Sequence, residues 1–143
     1  MNHPGPERSL SPAEIFPLRP SLPLPPGMTE QSLYQFVTSV RVADAPEQEM
    51  RAYGSHDFRR FVYTLGLVAD LKGKCLELGA NPYFTTMLLD RFTDLELSLA
   101  NYFGNCPDGL QTQEVAFIST DDGPRQTRKF EYQHFNIEGG AFP

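Results

Sequence analysis

The chain has 143 residues and a mass of 16.1 kDa, with 40% hydrophobic residues, 11 Phe and 6 Tyr, enough for one domain with its own core. A formal charge of −6 and a pI near 5.0 argue against a nucleic-acid backbone as the main partner, because phosphate chains are bound by basic faces. No run of 18 apolar residues occurs, so no membrane span is expected, and the first residues lack the basic-then-apolar order of a secretory signal.

Residues 1–27 hold eight of the 13 prolines and read as an extended or disordered arm, since such a segment makes neither regular helix nor central strand. "PSLPLPP" is compatible with a polyproline helix docking in an aromatic groove, but an extended leader lying on the domain is the preferred reading. The domain proper is expected over residues 28–143. Thr29 is a suitable N-cap with Glu30 in the first turn, and Leu33, Phe36, Val37 and Val40 follow at helical spacing. The polar stretch "ADAPEQEMRAYG" separates this helix from a second, capped by Ser55, with Phe58, Phe61, Val62, Leu65 and Val68 as its apolar stripe. "SHDFRR" reads as a charged, solvated helix start rather than as a place where His56 or Arg60 meets a substrate.

A strand from Cys75 to Leu78 comes next, then the loop "GANPY", then a helix carrying Phe84, Met87, Leu88 and Phe92. Leu95, Leu97 and Leu99 alternate with Glu96 and Ser98, which predicts a strand ending at Asn101. "GNCPDGLQTQ" reads as a loop, and "EVAFIST" and "RKFEYQHF" as a hairpin about the turn Asp121-Asp122-Gly123-Pro124. The β-α-β order implies a parallel pair. Cys75 lies within an apolar strand, so a reduced thiol in a cytoplasmic protein is expected. The two cysteines and His3, His56 and His134 lack metal-site spacing, so no metal is expected.

The loop after the first long strand carries the functional signal. Asn81 is a favoured N-cap and Pro82 a favoured first helical residue, so together they are expected to start the helix sharply after Gly79, with amides from Tyr83 onward facing outward. Tyr83 stands where a phosphate-cradling loop has its third glycine, which disfavours a dinucleotide and suits a ligand without a phosphate. Glu77, at the end of an apolar strand, is expected at the carboxyl edge of the sheet, where α/β proteins bind ligands. Asn101 lies 22 residues beyond Gly79, near the place where nucleoside-binding folds put a ribose-binding side chain about 20 residues on.

Together these stretches resemble the class I S-adenosylmethionine-dependent methyltransferases. "ELGANPY" matches the first two defined positions of their Glu/Asp-x-Gly-x-Gly-x-Gly motif, "LSLANYFG" is similar to their second motif with Asn101 in place of the usual acid, and "HFNIEGGAFP" is similar to the segment after their third strand. The resemblance covers roughly residues 55–143 and implies a Rossmann-like, three-layer parallel sheet, incomplete at its C-terminal end, with N-terminal helices and a β-hairpin after the second strand. It implies S-adenosyl-L-methionine as cofactor, with the methionine part along Glu77, Gly79, Ala80, Asn81 and Tyr83, the ribose at Asn101, and the adenine at Asn136 and Ile137. The acceptor and any general base are unassigned. Strands four to seven of the family have no counterpart, so the isolated chain is expected to be inactive in methyl transfer. Self-association, or completion by another chain, is expected to cover an exposed sheet edge and apolar face. The competing readings are a dinucleotide-binding oxidoreductase fragment and a non-catalytic α/β interaction module.

Overall fold

The computed structural model describes residues 21–104, 106–120, 122–140 and 142–143. Most of the proline-rich arm, residues 1–20, and the turn residue Asp121 lie outside the described residues. Among the described residues four α-helices and five strands follow one another as α1 (Glu30–Thr38), β1 (Arg41–Val42), α2 (Glu47–His56), α3 (Phe58–Val68), β2 (Lys72–Leu78), α4 (Phe84–Phe92), β3 (Asp94–Asn101), β4 (Gly109–Ile118) and β5 (Arg125–His134). The strands form one open sheet in the order β1-β4-β5-β3-β2. Strands β2, β3 and β5 run parallel, whereas β4 is antiparallel to both β5 and β1. The expected hairpin is therefore part of the main sheet, and the sheet is mixed rather than wholly parallel.

Helix α1 starts as expected. The Thr29 hydroxyl accepts the Ser32 N–H at 3.0 Å, and Ser32 Oγ accepts the Thr29 N–H at 2.9 Å, which satisfies two first-turn donors. Leu33, Phe36 and Val37 of α1, Phe61, Val62 and Leu65 of α3, and Met87, Leu88 and Leu89 of α4 are buried together. Aromatic contacts cross this layer, with Phe61 stacked on Phe84 at 5.1 Å and Phe36 edge-on to Phe117 at 5.9 Å.

Two helical expectations need correction. The polar stretch after Val42 is not irregular: residues 47–56 form α2, which buries only Met50 and Gly54. Ser55 consequently lies in the last turn of α2 and caps nothing, and α3 follows after Asp57. Gly54 does not stop a helix. A Cβ there would come within 2.9 Å of the Phe84 ring, so glycine is what lets α2 approach α4. Arg60 is bound to Asp57 and to the Tyr53 hydroxyl, at 2.8 Å in the latter case, within a surface cluster at the α2–α3 junction.

Strand alternation decides the layering. In β2 and β3, Cys75, Glu77, Leu95, Leu97 and Leu99 are half-buried or buried, whereas Lys72, Lys74, Leu76, Leu78, Asp94, Glu96 and Ser98 are exposed. Along β4 and β5, Leu110, Thr112, Glu114, Thr127, Lys129 and Glu131 continue the exposed face. Among the described residues the helices pack on one face of the sheet, so the arrangement is two-layered rather than three-layered. The expected uncovered apolar face is mostly polar: Lys72 and Lys74 stand in register with Asp94 and Glu96, and apolar exposure on β2 is confined to Leu76 and Leu78.

The end of the proline-rich segment lies on the domain. Leu22 and Leu24 pack against the core, and Pro23 lies so close to Gly66 of α3 that a Cβ there would clash. Strands β4 and β2 also extend beyond their expected bounds. Strand β4 begins at Gly109, within the stretch read as loop, because its polar residues are held by the backbone ladder to β5.

Strand β2 closes one edge of the sheet with Leu76 44% and Leu78 51% exposed, a template for pairing with another chain. We expect the chain to self-associate with rising concentration, and Leu76→Lys to keep it monomeric while changing stability by no more than about 0.5 kcal/mol. Sedimentation velocity checks this: a parent chain that stays monomeric, or a variant that associates equally, contradicts it.

Candidate functional site

The carboxyl ends of the three parallel strands converge. Gly79 and Ala80 follow β2 and both donate their N–H to the Ala100 carbonyl, at 2.8 and 3.2 Å, which draws the loop over the end of β3. Gly79 has φ +69°, a left-handed conformation that glycine adopts without cost, and a Cβ at this position would meet nothing within 4 Å. That open space faces a cavity of about 240 Å³ lined by Leu78, Gly79, Ala100, Asn101, Tyr102 and the segment Phe135-Asn136-Ile137. Every one of the parallel strands contributes its end. Small-molecule sites commonly span about 300–1,000 Å³, so this cleft is smaller than a typical one.

Of the residues expected at the site, Gly79, Asn101, Asn136 and Ile137 line this cavity, and Glu77, Ala80, Asn81 and Tyr83 do not. Ile137 is 63% exposed and offers an apolar surface at the mouth. The Asn136 Oδ1 accepts the Glu138 N–H at 3.0 Å and starts the short turn Ile137–Gly139, an arrangement that uses one end of the amide.

Asn101 is 3% exposed and its carboxamide works inside the protein. Its Oδ1 accepts the Asn81 N–H at 2.7 Å, and its Nδ2 donates to the Tyr83 hydroxyl at 2.9 Å. The side chain expected to hold a ribose thus holds the loop in place, and it borders the cavity as part of the wall. Tyr83 is fully buried, its ring stacked on Phe130 at 6.0 Å and 5°. Burial pushes its phenol far above the ordinary tyrosine range.

The expected helix start is also corrected. Asn81 is not the N-cap of α4 and Pro82 is not its first residue. Tyr83, at φ +75°, takes the cap position without a side-chain cap bond, and α4 begins at Phe84. Stacking on Phe130, the hydroxyl bond to Asn101 and a 2.6 Å bond from the Tyr83 N–H to the Ala80 carbonyl together pull the chain into this turn. A left-handed tyrosine persists only where its surroundings over-determine it, and here three contacts do.

Glu77 points to the helix side of the sheet, where its Oε2 accepts the Thr86 hydroxyl at 2.7 Å. Burial raises its pKa above the ordinary carboxylate value, and the Thr86 bond only partly opposes this. Thr86 went unnoticed in the sequence because a threonine within an apolar helix face gives no signal of its partner. His134 was also passed over. It is fully buried, its Nε2 accepts the Phe103 N–H at 2.9 Å, and its Nδ1 faces Asp108 Oδ1 at 3.5 Å. The Tyr102 and Phe103 rings lie 5.5 and 6.1 Å from it, so His134 fixes the turn after β3 that forms one cavity wall.

Among the described residues no three His, Cys, Asp or Glu side chains are placed to hold a metal ion, and no helix is long and apolar enough to cross a membrane. No family model matches the chain, and comparisons with curated proteins and with solved structures find no match.

Two outcomes follow from this geometry. Asn101→Ala leaves the Asn81 N–H and the Tyr83 hydroxyl without their partner, and we expect a loss of about 1–3 kcal/mol in chemical denaturation. Glu77→Gln keeps an acceptor for Thr86 and removes the buried charge. A carboxyl whose pKa rises on folding favours the folded chain below the ordinary glutamate range, and that advantage is lost as pH climbs through the raised value. We therefore expect Glu77→Gln to melt higher than the parent chain at about pH 7 and to lose that advantage near pH 3, read from melts across the interval. A variant less stable than the parent at neutral pH would show that the carboxylate is stabilising there.

Proposed function

We propose that this chain is the cofactor-binding half of an S-adenosyl-L-methionine-dependent methyltransferase of the Rossmann-like class. The carrying observation is the single cavity at the carboxyl ends of β2, β3 and β5, in which Gly79, Asn101, Asn136 and Ile137 meet although they are widely separated in sequence. The order β5-β3-β2 among the parallel strands also suits one half of a doubly wound nucleoside-binding sheet.

The residues present fit the nucleoside part of such a cofactor. In this reading the open side of Gly79 lets a ligand approach the backbone, Ile137 and Leu78 flank a flat ring, and the Asn136 amide supplies a polar contact. Asn101 acts as a positioning residue through Asn81 and Tyr83 rather than as a direct ribose ligand. Glu77, held by Thr86 on the helix side, is an acid kept at a cost to stability beside a strand end, a pattern concentrated at functional sites. When bound, the cofactor would supply an electrophilic methyl group, and transfer would then depend on holding an acceptor in line with it.

A dinucleotide fits less well, because Gly79 is the one glycine of the loop and Tyr83 stands where a phosphate-cradling loop has its third. Calorimetry with S-adenosylhomocysteine, against a nicotinamide dinucleotide, tests the proposal. Asparagine tolerates left-handed backbone, so Gly79→Asn should preserve the fold while its side chain enters the cavity. We expect S-adenosylhomocysteine to bind the parent chain and Gly79→Asn to weaken it at least about tenfold with unchanged circular dichroism. Equal affinity in the variant, or preference for the dinucleotide, would overturn the reading.

A further inference from the structure

A second cavity lies at the other end of the sheet, independent of the strand-end cleft. The end of α1, strand β1, the start of α2 and the β4–β5 turn enclose about 270 Å³ lined by Arg41, Arg51 and Arg125, by the hydroxyls of Ser119 and Thr120, and by one acid, Glu47. In a chain of formal charge −6, three guanidinium groups against one carboxylate is a local reversal of sign.

Part of this cluster serves the fold. Arg41 Nη1 donates to the Thr38 and Val40 carbonyls at 2.7 and 2.8 Å, and Arg125 Nη1 donates to the Ser39 carbonyl at 3.2 Å. These bonds tie off the C-terminal end of α1, where cations are favoured. Carbonyls carry no net charge, and among the described lining residues the one acid, Glu47, pairs with Arg41. Arg41 Nε is buried with no hydrogen-bond partner among the described residues. It forms an ion pair with Glu47 Oε1 at 3.4 Å, on a side chain that is 75% exposed, whereas the Arg41 side chain is only 13% exposed. Arg51, one turn beyond Glu47 on α2, makes no hydrogen bond or ion pair among the described residues. Burial lowers the Arg41 pKa, Glu47 opposes this, and the neighbouring Arg125 and Arg51 add to the lowering.

We propose that this cavity binds the phosphate group of a small phosphorylated molecule, with Arg41, Arg51 and Arg125 as its cationic walls. Among the described lining residues the charges sum to plus two, which suits a phosphate dianion better than a carboxylate monoanion. Guanidinium groups present donors in a planar fork suited to phosphate oxygens, and among the described residues Arg51, exposed at the cavity, has its donors uncommitted. The Ser119 and Thr120 hydroxyls add neutral donors on the turn side.

The test is titration of the full chain with inorganic phosphate at constant ionic strength, followed through the backbone amide signals of residues 39–41 and 119–120 and the arginine Nε–H signals. We expect saturable shifts confined to these groups, and none with chloride. Arg51 is exposed and makes no bond that the fold needs, so Arg51→Gln should keep the dispersion of the spectrum and weaken binding by roughly tenfold. Glu47→Gln, which removes the single acid, should tighten it. A soluble phosphomonoester should bind at least as well as inorganic phosphate, and capture by vesicles containing phosphatidic acid without binding of the soluble ester would assign the phosphate to a lipid headgroup and overturn the small-molecule proposal. Failure to saturate below about 10 mM, or identical titrations of the parent, Arg51→Gln and Glu47→Gln chains, would overturn the site itself.

Discussion

The carboxamide of Asn101 joins three pieces of chain that would otherwise part. It ends β3, accepts the Asn81 N–H from the loop after β2, and donates to the hydroxyl of Tyr83, whose ring rests on Phe130 of β5. All of this occurs at 3% exposure, where an unsatisfied polar group is costly and a satisfied one defines geometry. Because Tyr83 is fixed, α4 begins at Phe84, and Phe84 then stacks on Phe61 of α3 and fills the space that Gly54 of α2 leaves. Loop, helix layer and strand-end cleft thus share one anchor.

That anchor explains how the loop manages with a single glycine. A glycine-rich loop adopts tight turns because its residues lack a Cβ, and its shape is fixed by the ligand as much as by the protein. Here Gly79 alone supplies the open backbone, and the second left-handed position belongs to a tyrosine held by stacking and hydrogen bonds. The rigidity comes from packing. A cleft whose wall is already ordered spends less of its binding free energy on ordering, which is the general advantage of preorganisation.

Much of the architecture was legible because local and global preferences agree. Thr29 and the apolar spacing from Leu33 to Val40 specify α1, and Cys75–Leu78, the Phe84–Phe92 stripe and the Leu95–Leu99 alternation specify the β-α-β unit. Helix α2 was hidden because it buries only Met50 and Gly54, so it has almost no apolar period to read. The start of β4 was hidden because "GLQTQ" joins the sheet through backbone bonds, which leave no mark on composition. The alternation in "DLELSLAN" carried more information than its reading as a strand. Parallel strands covered on both faces run as near-continuous apolar stretches, and strict alternation announces one solvated face, in conflict with a three-layer arrangement. Of the expected site, Asn136 and Ile137 came only from the family resemblance, whereas Gly79 could be placed from a strand end. The direction of Asn101 and Tyr83 could not, because it depends on Phe130, a residue 47 positions beyond Tyr83 that only the folded sheet brings beneath it.

The sheet also sorts the site's residues by side, and this bears on chemistry. Glu77 and Tyr83 face the helices, whereas Leu78, Ala100 and the Phe135–Ile137 segment border the cleft. Glu77 is therefore tied to Thr86 at the start of α4, and the raised pKa that burial gives it makes its charge expensive to the fold. A glutamine could accept the same hydroxyl without that cost. The charge at this position therefore works against the fold, and Glu77 stands one residue before Leu78, which borders the cleft.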